Sequence, residues 1–458
     1  MSFMAITKLK WKPEPYQVEG VNWLSHKPAS ALFWPPGLGK TTTVLRAFQS
    51  LQKRKLAKRM LIIAPLKVCQ GVWRQEIDKW EGFEDLEIGL AHGTDKADIL
   101  MNDAYNIVLL NYDGIMWASG YLKHANFDVV CYDELTRLKH PNTRRFKVLK
   151  PLLQLFKFRW GLTGTPIPNG YMDLFGQVFC LDGGERLGKF ITHYRFKYFH
   201  QLPWDQWTWY PNETAGRTLT RLISDLAHTV DEKKWLNIKK PIVVEIRVDL
   251  PTDAMKQYKA LEALFITKIK EDVVTASNAA VLSGKLRQVA SGSVYSEGRI
   301  VTQVHDAKLD ALESLVEELN KDPVIIVVGF LHEVDAIRKR LGNIPYIGGG
   351  VSESIIVESL KRWNLGWMPV ILVHPTSVSA GLNMQAGGRA LIWYSMTWNR
   401  EERDQMLHRI HRKGQTRQVF EYHIIANKTI DDYLIEVSIK KGATQDQFLA
   451  GLEKFFGI

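Results

Sequence analysis

The sequence has few cysteines and no long apolar runs. Its 458 residues include three cysteines, Cys69, Cys131 and Cys180. They are far apart and lack the paired spacing of a zinc site or a disulfide framework, so neither is expected. No apolar stretch approaches the length of a membrane span, and residues 1–10 lack the pattern of a cleavable signal. These absences favour a reducing, cytosol-like compartment.

The sequence also lacks low-complexity tracts and repeats of solenoid period. Its hydrophobic fraction of 45% and charged fraction of 24% are ordinary for a globular protein, and its length permits two or three domains. Basic residues are in excess, with 60 Lys and Arg against 49 Asp and Glu and a formal net charge of +11. This charge makes a polyanionic partner such as nucleic acid plausible, although lysine-rich solubility would give the same balance.

Apolar runs alternate with amphipathic helical patterns, which is typical of parallel α/β architecture. A first series of strand candidates covers residues 31–34, 60–64, 106–110, 127–132 and 159–162. A second series covers residues 324–328, 345–347, 370–373, 390–394 and 419–425. We therefore predict an α/β fold of two parallel-sheet lobes, an N-terminal lobe over residues 1–239 and a C-terminal lobe over residues 240–458.

The chain between the two series differs in composition. Residues 185–235 lose strand periodicity and contain an aromatic cluster, whose members are Tyr194, Phe196, Tyr198, Phe199, Trp204, Trp207, Trp209 and Tyr210. These rings either stack on the bases of a single-stranded nucleic acid or form the small core of a helical insertion. We favour the core, because so many exposed rings would promote aggregation. A strand candidate at residues 242–250 and a helical segment around residues 252–290 precede the second series.

A strand that runs into a glycine-bearing loop and then a helix occupies residues 31–43. Gly39, Lys40 and Thr41 close the loop with the residue types of a phosphate-binding loop. Loop N–H groups and the positive end of the following helix would favour a polyphosphate, which Lys40 would contact while the Thr41 hydroxyl bound Mg²⁺. The full pattern asks for glycine five residues before Gly39, where this chain has Trp34. The alternative is a strand, turn and helix with an incidental lysine.

The apolar run from residue 127 ends in two acids, Asp133 and Glu134. Asp133 could hold Mg²⁺ through water, and Glu134 could orient and deprotonate an attacking water. The pair could equally terminate a strand and cap a helix, but the phosphate loop two strands earlier favours hydrolysis. The next strand leads into a Thr-Gly-Thr-Pro turn at residues 163–166, whose hydroxyls could relay hydrogen bonds from the acids.

A basic segment at residues 402–415 is the third motif. If it forms one helix, Gln405, Arg409 and Arg412 share a face of that helix. Arginines presented to the charge that develops on a γ-phosphate act as arginine fingers. Two basic residues on a helix are more often a solvated face, so this segment does not decide the function by itself.

The order of these motifs resembles that of the Swi/Snf-like family of superfamily two helicases, most closely its short bacteriophage-encoded members. The resemblance extends from about residue 11 to about residue 439. Its segments are the adenine-recognising Q motif at residues 15–24 and motifs I (36–41), Ia (61–66), II (133–136), III (162–166), IV (324–329), V (374–383) and VI (405–415). Motif II reads Asp-Glu-Leu-Thr in place of the family's Asp-Glu-Ala-His, so the coupling role of the histidine would pass to the hydroxyl of Thr136.

The resemblance implies two RecA-like lobes, with ATP and Mg²⁺ in the cleft between them and duplex DNA across both. Residues implied to serve catalysis are Lys40, Asp133, Glu134, Arg409 and Arg412, with Thr41 and Asp133 at Mg²⁺. Residues implied to bind ATP are Tyr16, Gln17, Pro36, Gly37, Leu38, Gly39, Lys40, Thr41, Thr42, Gly381 and Gln405. Candidates for DNA contact on loops at the strand ends are Lys67, Asn111, Lys139, Asn142 and Arg144.

We therefore expect an ATPase that is stimulated by DNA and moves along it, with duplex DNA favoured over single strands and RNA as a further option. The alternatives are a strand-separating helicase and an ATP-gated DNA clamp that serves a partner nuclease, replication or repair protein. The expected location is the cytoplasm, that of the host if the protein is encoded by a phage.

Overall fold

The computed structural model describes residues 8–164, 166–167, 170–203, 205–230, 235, 239–270, 276–296, 298, 300–320, 322–378, 382–412 and 414–436. The chain divides into two units, Met1–Trp235 and Leu236–Ile458. Each unit contains one large sheet, and all the strand pairs in both large sheets are parallel. The predicted α/β class with two parallel-sheet lobes is confirmed.

The first unit contains buried apolar strands and a few short, partly exposed ones. They are β1 (Ala29–Phe33), β2 (Met60–Ala64), β3 (Ile88–Leu90), β4 (Ile107–Asn111), β5 (Val129–Asp133), β6 (Phe158–Thr163), β7 (Phe199–Leu202), β8 (Asp205–Pro211) and β9 (Ala227–Thr229). Seven of them form a sheet in the order β3-β4-β2-β5-β6-β1-β9, and β7 and β8 form a separate antiparallel hairpin. All residues of β2 are buried, as expected of a parallel strand that is covered on both faces.

Helices connect these strands. They are α1 (Pro15–His26), α2 (Lys40–Lys53), α3 (Trp73–Lys79), α4 (Lys96–Met101), α5 (Ile115–Leu122), α6 (Arg144–Leu149), α7 (Leu174–Asp182), α8 (Ile191–Tyr198) and α9 (Ala215–Ile223). Helix α2 buries Val44, Phe48 and Leu51, which share one face at helical spacing. Because the main sheet is parallel, the carboxyl ends of β1, β2, β4, β5 and β6 lie at one edge, where ligand sites form in such folds.

The first unit departs from the prediction in its short elements. Strands β3 and β9 have three residues each, which is too short to give a recognisable pattern. The helix before β3 begins as a π-helical turn at Val68–Val72 and becomes α-helical at α3.

The aromatic cluster contains a β-hairpin, so the prediction that residues 185–235 lack strands was wrong. Polar and aromatic residues alternate along β8, and that period of two predicts a strand. Tyr194, Tyr198 and Phe199 are buried in the main core, whereas Phe196 is 75% exposed. The core interpretation therefore holds for three of the rings. Trp204 and the side chain of Trp207 lie outside the described part of the chain.

The second unit repeats this architecture. Its strands are β10 (Ile242–Val248), β11 (Ser293–Tyr295), β12 (Val301–Gln303), β13 (Val324–Val327), β14 (Tyr346–Ile347), β15 (Val370–Val373), β16 (Ala390–Trp393) and β17 (Phe420–Ala426). Six form a sheet in the order β10-β17-β16-β13-β15-β14, and β11 pairs with β12.

The helices of this unit are α10 (Thr252–Lys270), α11 (Ala276–Ala290), α12 (Ala307–Glu318), α13 (Leu331–Leu341), α14 (Glu353–Asn364), α15 (Pro375–Val378), α16 (Arg400–Leu407) and α17 (Ile430–Ile435). The first two, α10 and α11, are long and occupy the segment around residues 252–290 that was predicted to be helical. Of the helices that the structure describes in either unit, none has the length and apolar composition that a membrane crossing requires.

Candidate nucleotide site

The loop between β1 and α2 has the backbone of a phosphate cradle. Gly37 and Gly39 have positive φ angles of 86° and 78°. A Cβ at Gly39 would lie 2.4 Å from Gln17 Nε2, so both conformation and space require glycine there. Helix α2 begins at Lys40, and its first N–H groups therefore face the loop. The residues present suit a polyphosphate.

Lys40, the predicted phosphate-binding lysine, is hydrogen-bonded to carbonyl groups of its own loop. Lys40 Nζ donates to the carbonyl oxygens of Trp34 at 2.7 Å and Pro35 at 3.2 Å. Anionic phosphate oxygens accept stronger hydrogen bonds from an ammonium than neutral carbonyls do, so a nucleotide can displace these contacts. Thr42, also predicted to bind ATP, has its hydroxyl turned to α3, where it donates to Glu76 Oε2 at 2.5 Å.

Trp34, which stands where the motif pattern asks for glycine, packs beneath α1. Its side chain is fully buried, and Nε1 donates to His228 Nδ1 at 2.9 Å. A Cβ at Gly20 would lie 2.5 Å from the Trp34 ring, so glycine in α1 makes room for the indole. This packing accommodates the Trp34 side chain, and Gly37 and Gly39 still have the positive φ angles of a phosphate cradle.

Helix α1 is tied directly to the loop. Tyr16 Oη and Gln17 Nε2 both donate to the Leu38 carbonyl, at 3.2 and 3.1 Å, while Gln17 Oε1 accepts from the Glu14 N–H at 2.9 Å. Burial raises the pKa of Tyr16 to about 12, which keeps its hydroxyl a donor. Pro36 lies against Gly164 of the Thr-Gly-Thr-Pro turn, at 3.0 Å from the position of a Gly164 Cβ.

The two predicted acids lie at the carboxyl end of β5. Burial, followed by the neighbouring charge of Glu134, raises the pKa of Asp133 to about 6, although Lys40 and Trp73 oppose this. Trp73 Nε1 donates to Asp133 Oδ2 at 3.0 Å. A buried carboxylate in this environment gains from a nearby cation, and hydroxyl and carboxylate oxygens are the ligands that Mg²⁺ prefers. Thr41 and Asp133 therefore fit the predicted metal.

Glu134 is held in an unusual conformation. Its φ of 63° lies in the left-handed region, which is strained for a residue with a side chain. Tyr112 Oη donates to the carbonyl oxygens of Asp133 and Glu134, at 3.0 and 3.1 Å, and so supports this turn.

Two hydroxyls converge on the Glu134 carboxylate. Thr136 Oγ1 donates to Glu134 Oε1 at 2.7 Å, and Thr163 Oγ1 donates to the same oxygen at 3.3 Å. These hydrogen bonds join motifs II and III through Glu134, as expected if the hydroxyls relay hydrogen bonds from the acids. Thr165, the second hydroxyl of the Thr-Gly-Thr-Pro turn, lies outside the described residues.

Sequence reasoning missed Trp73, Glu76 and Tyr112. Trp73 belongs to none of the sequence motifs described above. A buried indole N–H needs an acceptor, and this requirement is the signal that could have drawn attention to it. Its acceptor is on another strand, however, and the sequence alone does not identify it.

The DNA-contact candidates are distributed along the same sheet edge. Asn111 is the last residue of β4 and Arg144 is the first of α6, whereas Lys67 is helical and directly precedes the π-helical turn, and Asn142 lies in a turn. Lys139 forms an ion pair with the buried Asp173 at 3.3 Å, and this contact gives it a structural role. As DNA contacts, all five residues stay predictions.

In the second unit, α16 ends at Leu407. Arg409 and Arg412 lie in the turns that follow, so the prediction that they share a helical face with Gln405 was wrong. The chain leaves the helix because other groups bond to the backbone carbonyls of this segment: Met384 N donates to the Arg409 carbonyl at 3.1 Å, and Gln415 Nε2 donates to the Ile410 carbonyl at 3.4 Å.

Both arginines instead contact motif V. Arg409 is 6% exposed and its Nη1 donates to the Leu382 carbonyl at 3.4 Å, while Arg412 Nη1 donates to Asn383 Oδ1. Gln405 stays on its own helix, where it donates to Glu401 Oε1 at 3.1 Å. Gly381 lies outside the described residues.

A buried ion pair anchors α16 to the sheet. Arg403 Nη2 donates to Glu421 Oε2 at 2.6 Å, and Trp393 Nε1 donates to the other carboxylate oxygen at 2.9 Å. Glu421 belongs to β17 and Trp393 to β16, so α16 is fixed against two neighbouring strands. The arginine-bearing turns leave the helix from this fixed position.

Comparison with known protein families identifies the domains to which these motifs belong. Residues 16–291 match the SNF2-related domain, and residues 307–414 match the helicase conserved C-terminal domain. The chain belongs to the SNF2-related family of helicase-like ATPases. The predicted family is thereby confirmed, and membership of this family implies the use of ATP.

Relatives of this SNF2-related chain include phage, bacterial and plant proteins. It is 34% identical to protein p41 of the Acyrthosiphon pisum secondary endosymbiont phage 1, over 96% of this chain and 99% of the relative. It is 26% identical to an uncharacterized ATP-dependent helicase of Mycoplasma genitalium, over 93% of this chain and 41% of the relative. It is 24% identical to the CHD3-type chromatin-remodeling factor PICKLE of Arabidopsis thaliana, over 94% of this chain and 34% of the relative. The chain thus spans less than half the length of the latter two.

Among solved structures, the chain is similar to the Sulfolobus solfataricus SWI2/SNF2 ATPase core in complex with dsDNA. The TM-score is 0.47 at 23% identity, over 100% of this chain and 97% of that one.

Proposed function

We propose that this protein is a DNA-stimulated ATPase that moves along duplex DNA. The observation that carries the proposal is the cluster at the sheet edge of the first unit, where the glycine loop, Lys40, Asp133 and Glu134 come together with two threonines on the glutamate. The names of two relatives, an ATP-dependent helicase and a chromatin-remodeling factor, support a motor on nucleic acid.

The residues of the first unit have distinct roles in the proposed hydrolysis. Lys40 leaves its loop carbonyls to bind the β- and γ-phosphates, and Glu134 orients the attacking water and accepts its proton. Thr136 and Thr163 fix the Glu134 carboxylate for that transfer. Mg²⁺ held by Thr41 and Asp133 would neutralise charge on the phosphates.

Arg409 and Arg412 supply positive charge to the γ-phosphate in this proposal. Loss of an arginine finger typically lowers turnover by about 10³- to 10⁵-fold. Their contacts with residues 382 and 383 hold both side chains in place, and a guanidinium has five N–H donors to share between such contacts and a phosphate. Movement along DNA would follow from ATP binding and release alternating between two arrangements of the units.

Duplex DNA is the proposed track, with Lys67, Asn111, Asn142 and Arg144 as phosphate contacts. The formal net charge of +11 supports a polyanionic partner. RNA is the second polymer to be tested.

The test is ATP turnover by the purified protein with no nucleic acid, duplex DNA, single-stranded DNA or RNA. We expect the largest stimulation with duplex DNA. Lys40→Ala should abolish both nucleotide binding and turnover, whereas Glu134→Gln should abolish turnover and keep binding. Hydrolysis that is absent, or that is independent of DNA, would contradict the proposal.

A further inference from the structure

Helix α8 has an aromatic ring on its solvent face. Tyr194 and Tyr198, one turn apart, are buried in the core of the first unit. Phe196 lies on the opposite side of the helix and is 75% exposed. The duplex motor proposed above assigns no role to this residue. An exposed ring of this size costs free energy unless something covers it in use.

Phe196 is part of a small aromatic surface. Its ring packs edge-on against Trp209 of the β7–β8 hairpin, with centroids 5.4 Å apart and an angle of 87° between the rings. The guanidinium of Arg195 lies 5.8 Å from the centroid of Trp209. Arg195 Nε is buried without a hydrogen-bond partner among the described residues, and its guanidinium forms no ion pair with any of them. An arginine held beside aromatic rings without a carboxylate is suited to bind an anion.

The surroundings of this surface are basic. No Asp or Glu occurs from residue 186 to residue 204, whereas this stretch contains Lys189, Arg195 and Lys197, and also Arg186, which is paired with Asp182 and Asp225. Lys189 and Lys197 are exposed. Phe190, at the start of α8, is 57% exposed and lies 6.0 Å from Lys150 Nζ. Exposed rings are thus bordered by cations on a stretch that has no acidic residue.

This combination matches one polymer in particular. A nucleic acid presents phosphates to the cations and flat base faces to the rings. A duplex covers its base faces by stacking them on each other, so it can use the cations and not the rings. A single strand can use both. An acidic protein segment would also pair with the cations, but it rarely offers flat rings at each step of the chain.

We propose that the α8 face, defined as Phe190, Arg195, Phe196, Lys197 and Trp209, binds single-stranded DNA, a choice of polymer that rests on the DNA motor proposed above. A base stacks on Phe196 beside Trp209, and the flanking phosphates contact Arg195 and Lys197. This site is additional to the nucleotide site and to the duplex track. It allows the protein to bind single-stranded regions, such as those beside a gap or a fork.

The test is fluorescence anisotropy with labelled 20-nucleotide single-stranded DNA, single-stranded RNA and duplex DNA, without ATP. Phe196→Ala should weaken single-strand binding about tenfold, in line with the loss of one stacked base. Phe196→Tyr keeps the ring and should bind within about twofold of wild type. Duplex binding and duplex-stimulated ATP turnover should be unchanged in both variants. Tighter binding of single-stranded RNA than of single-stranded DNA would overturn the proposal.

The matched control is Trp367→Ala, which removes an aromatic residue that is 65% exposed in the second unit. It should leave single-strand binding unchanged. The proposal is overturned if Phe196→Ala binds single strands as wild type does, or if Trp367→Ala loses as much. It is also overturned if an acidic peptide binds wild type more tightly than the single strand and loses that affinity in Phe196→Ala. Each of these results is independent of ATP turnover, so the duplex motor and the α8 face can fail separately.

Discussion

At the scale of single residues, Asp133 bears a free-energy cost that its ligand would relieve. Burial and the adjacent Glu134 raise its pKa from 3.8 to about 6. Between these values the folded state binds more protons than the unfolded state, so this group makes the protein less stable as the pH rises through that window. Above pH 6 the Asp133 carboxylate is ionised, and its full free-energy cost remains until a cation binds beside it.

Asp133→Asn should therefore stabilise the protein in the absence of nucleotide and Mg²⁺. The expected gain is about 2 kcal/mol at pH 7.5, from a pKa shift of about two units, and it should shrink at pH 5. Urea unfolding at the two pH values measures it.

Asp128→Asn is the control of opposite sign. Although burial raises the pKa of Asp128, Lys157 at 2.7 Å and the backbone N–H of Lys58 lower it overall. This substitution should destabilise the protein at pH 7.5. Equal effects of the two variants would contradict the account of Asp133.

The Trp73 indole should position Asp133 for the metal. Trp73→Phe keeps most of the ring and removes the N–H that donates to Asp133 Oδ2. Losing such a supporting hydrogen bond typically lowers metal affinity about tenfold or more. We expect a similar rise in the Mg²⁺ concentration that half-saturates binding of a fluorescent ATP analogue, a readout that does not depend on turnover.

Trp160→Phe is the matched control for that measurement. Trp160 is also fully buried, and its Nε1 has no hydrogen-bond partner in the part of the chain that the structure describes. This variant should change stability and leave the Mg²⁺ dependence unaltered. If both variants shift the Mg²⁺ dependence alike, the effect is one of packing.

The sequence was sufficient to place Asp133 and Glu134 at the end of a strand and Lys40 in the loop and helix that follow another, because a recognisable apolar run precedes each. It was not sufficient for Trp73 or Tyr112. Their hydrogen bonds join separate elements, and the choice of partner depends on how α3 and β5 pack.

At the scale of elements, the geometry of the sheet edge depends on the close approach of α7 to the turn that follows Asp133 and Glu134. A Cβ at Gly176 would lie 2.2 Å from the Leu138 carbonyl oxygen and 2.5 Å from that of Lys139. Gly176→Ala must push this turn away, at a cost of about 2 kcal/mol, and should lower ATP turnover because Glu134 precedes the turn.

Gly120→Ala is the control for helix propensity. Gly120 lies in α5 and is exposed, and no atom of the described residues lies within 4 Å of the position that a Cβ would take there. Alanine at this position should stabilise the protein by about 0.5–1 kcal/mol. Thermal unfolding of both variants checks the pair, and stabilisation by Gly176→Ala would contradict the close contact.

The element that sequence reasoning misjudged is α16. Nothing local stops a helix between Leu407 and Gly414, since the intervening residues are compatible with one. The helix ends because the N–H of residue 384 bonds to the carbonyl at 409, and that partner is distant in sequence. Buried strands such as β2 and β13 were predictable because their apolar runs are continuous.

At the scale of the whole molecule, the chain has two parallel-sheet units, and each carries part of the proposed ATP machinery. Lys40, Asp133 and Glu134 belong to the first unit, and Arg409 and Arg412 belong to the second. A motor whose groups are divided in this way can couple ATP hydrolysis to movement of one unit against the other. The central claim is thus movement along duplex DNA.

Displacement of a third strand from a DNA triplex tests this claim most directly. A protein that moves along the duplex should release a fluorescent third strand in the presence of ATP. It should leave the two duplex strands paired, and it should lose the activity in Glu134→Gln. ATP turnover without release of the third strand would contradict translocation and favour a clamp, and separation of the duplex strands would instead identify a helicase.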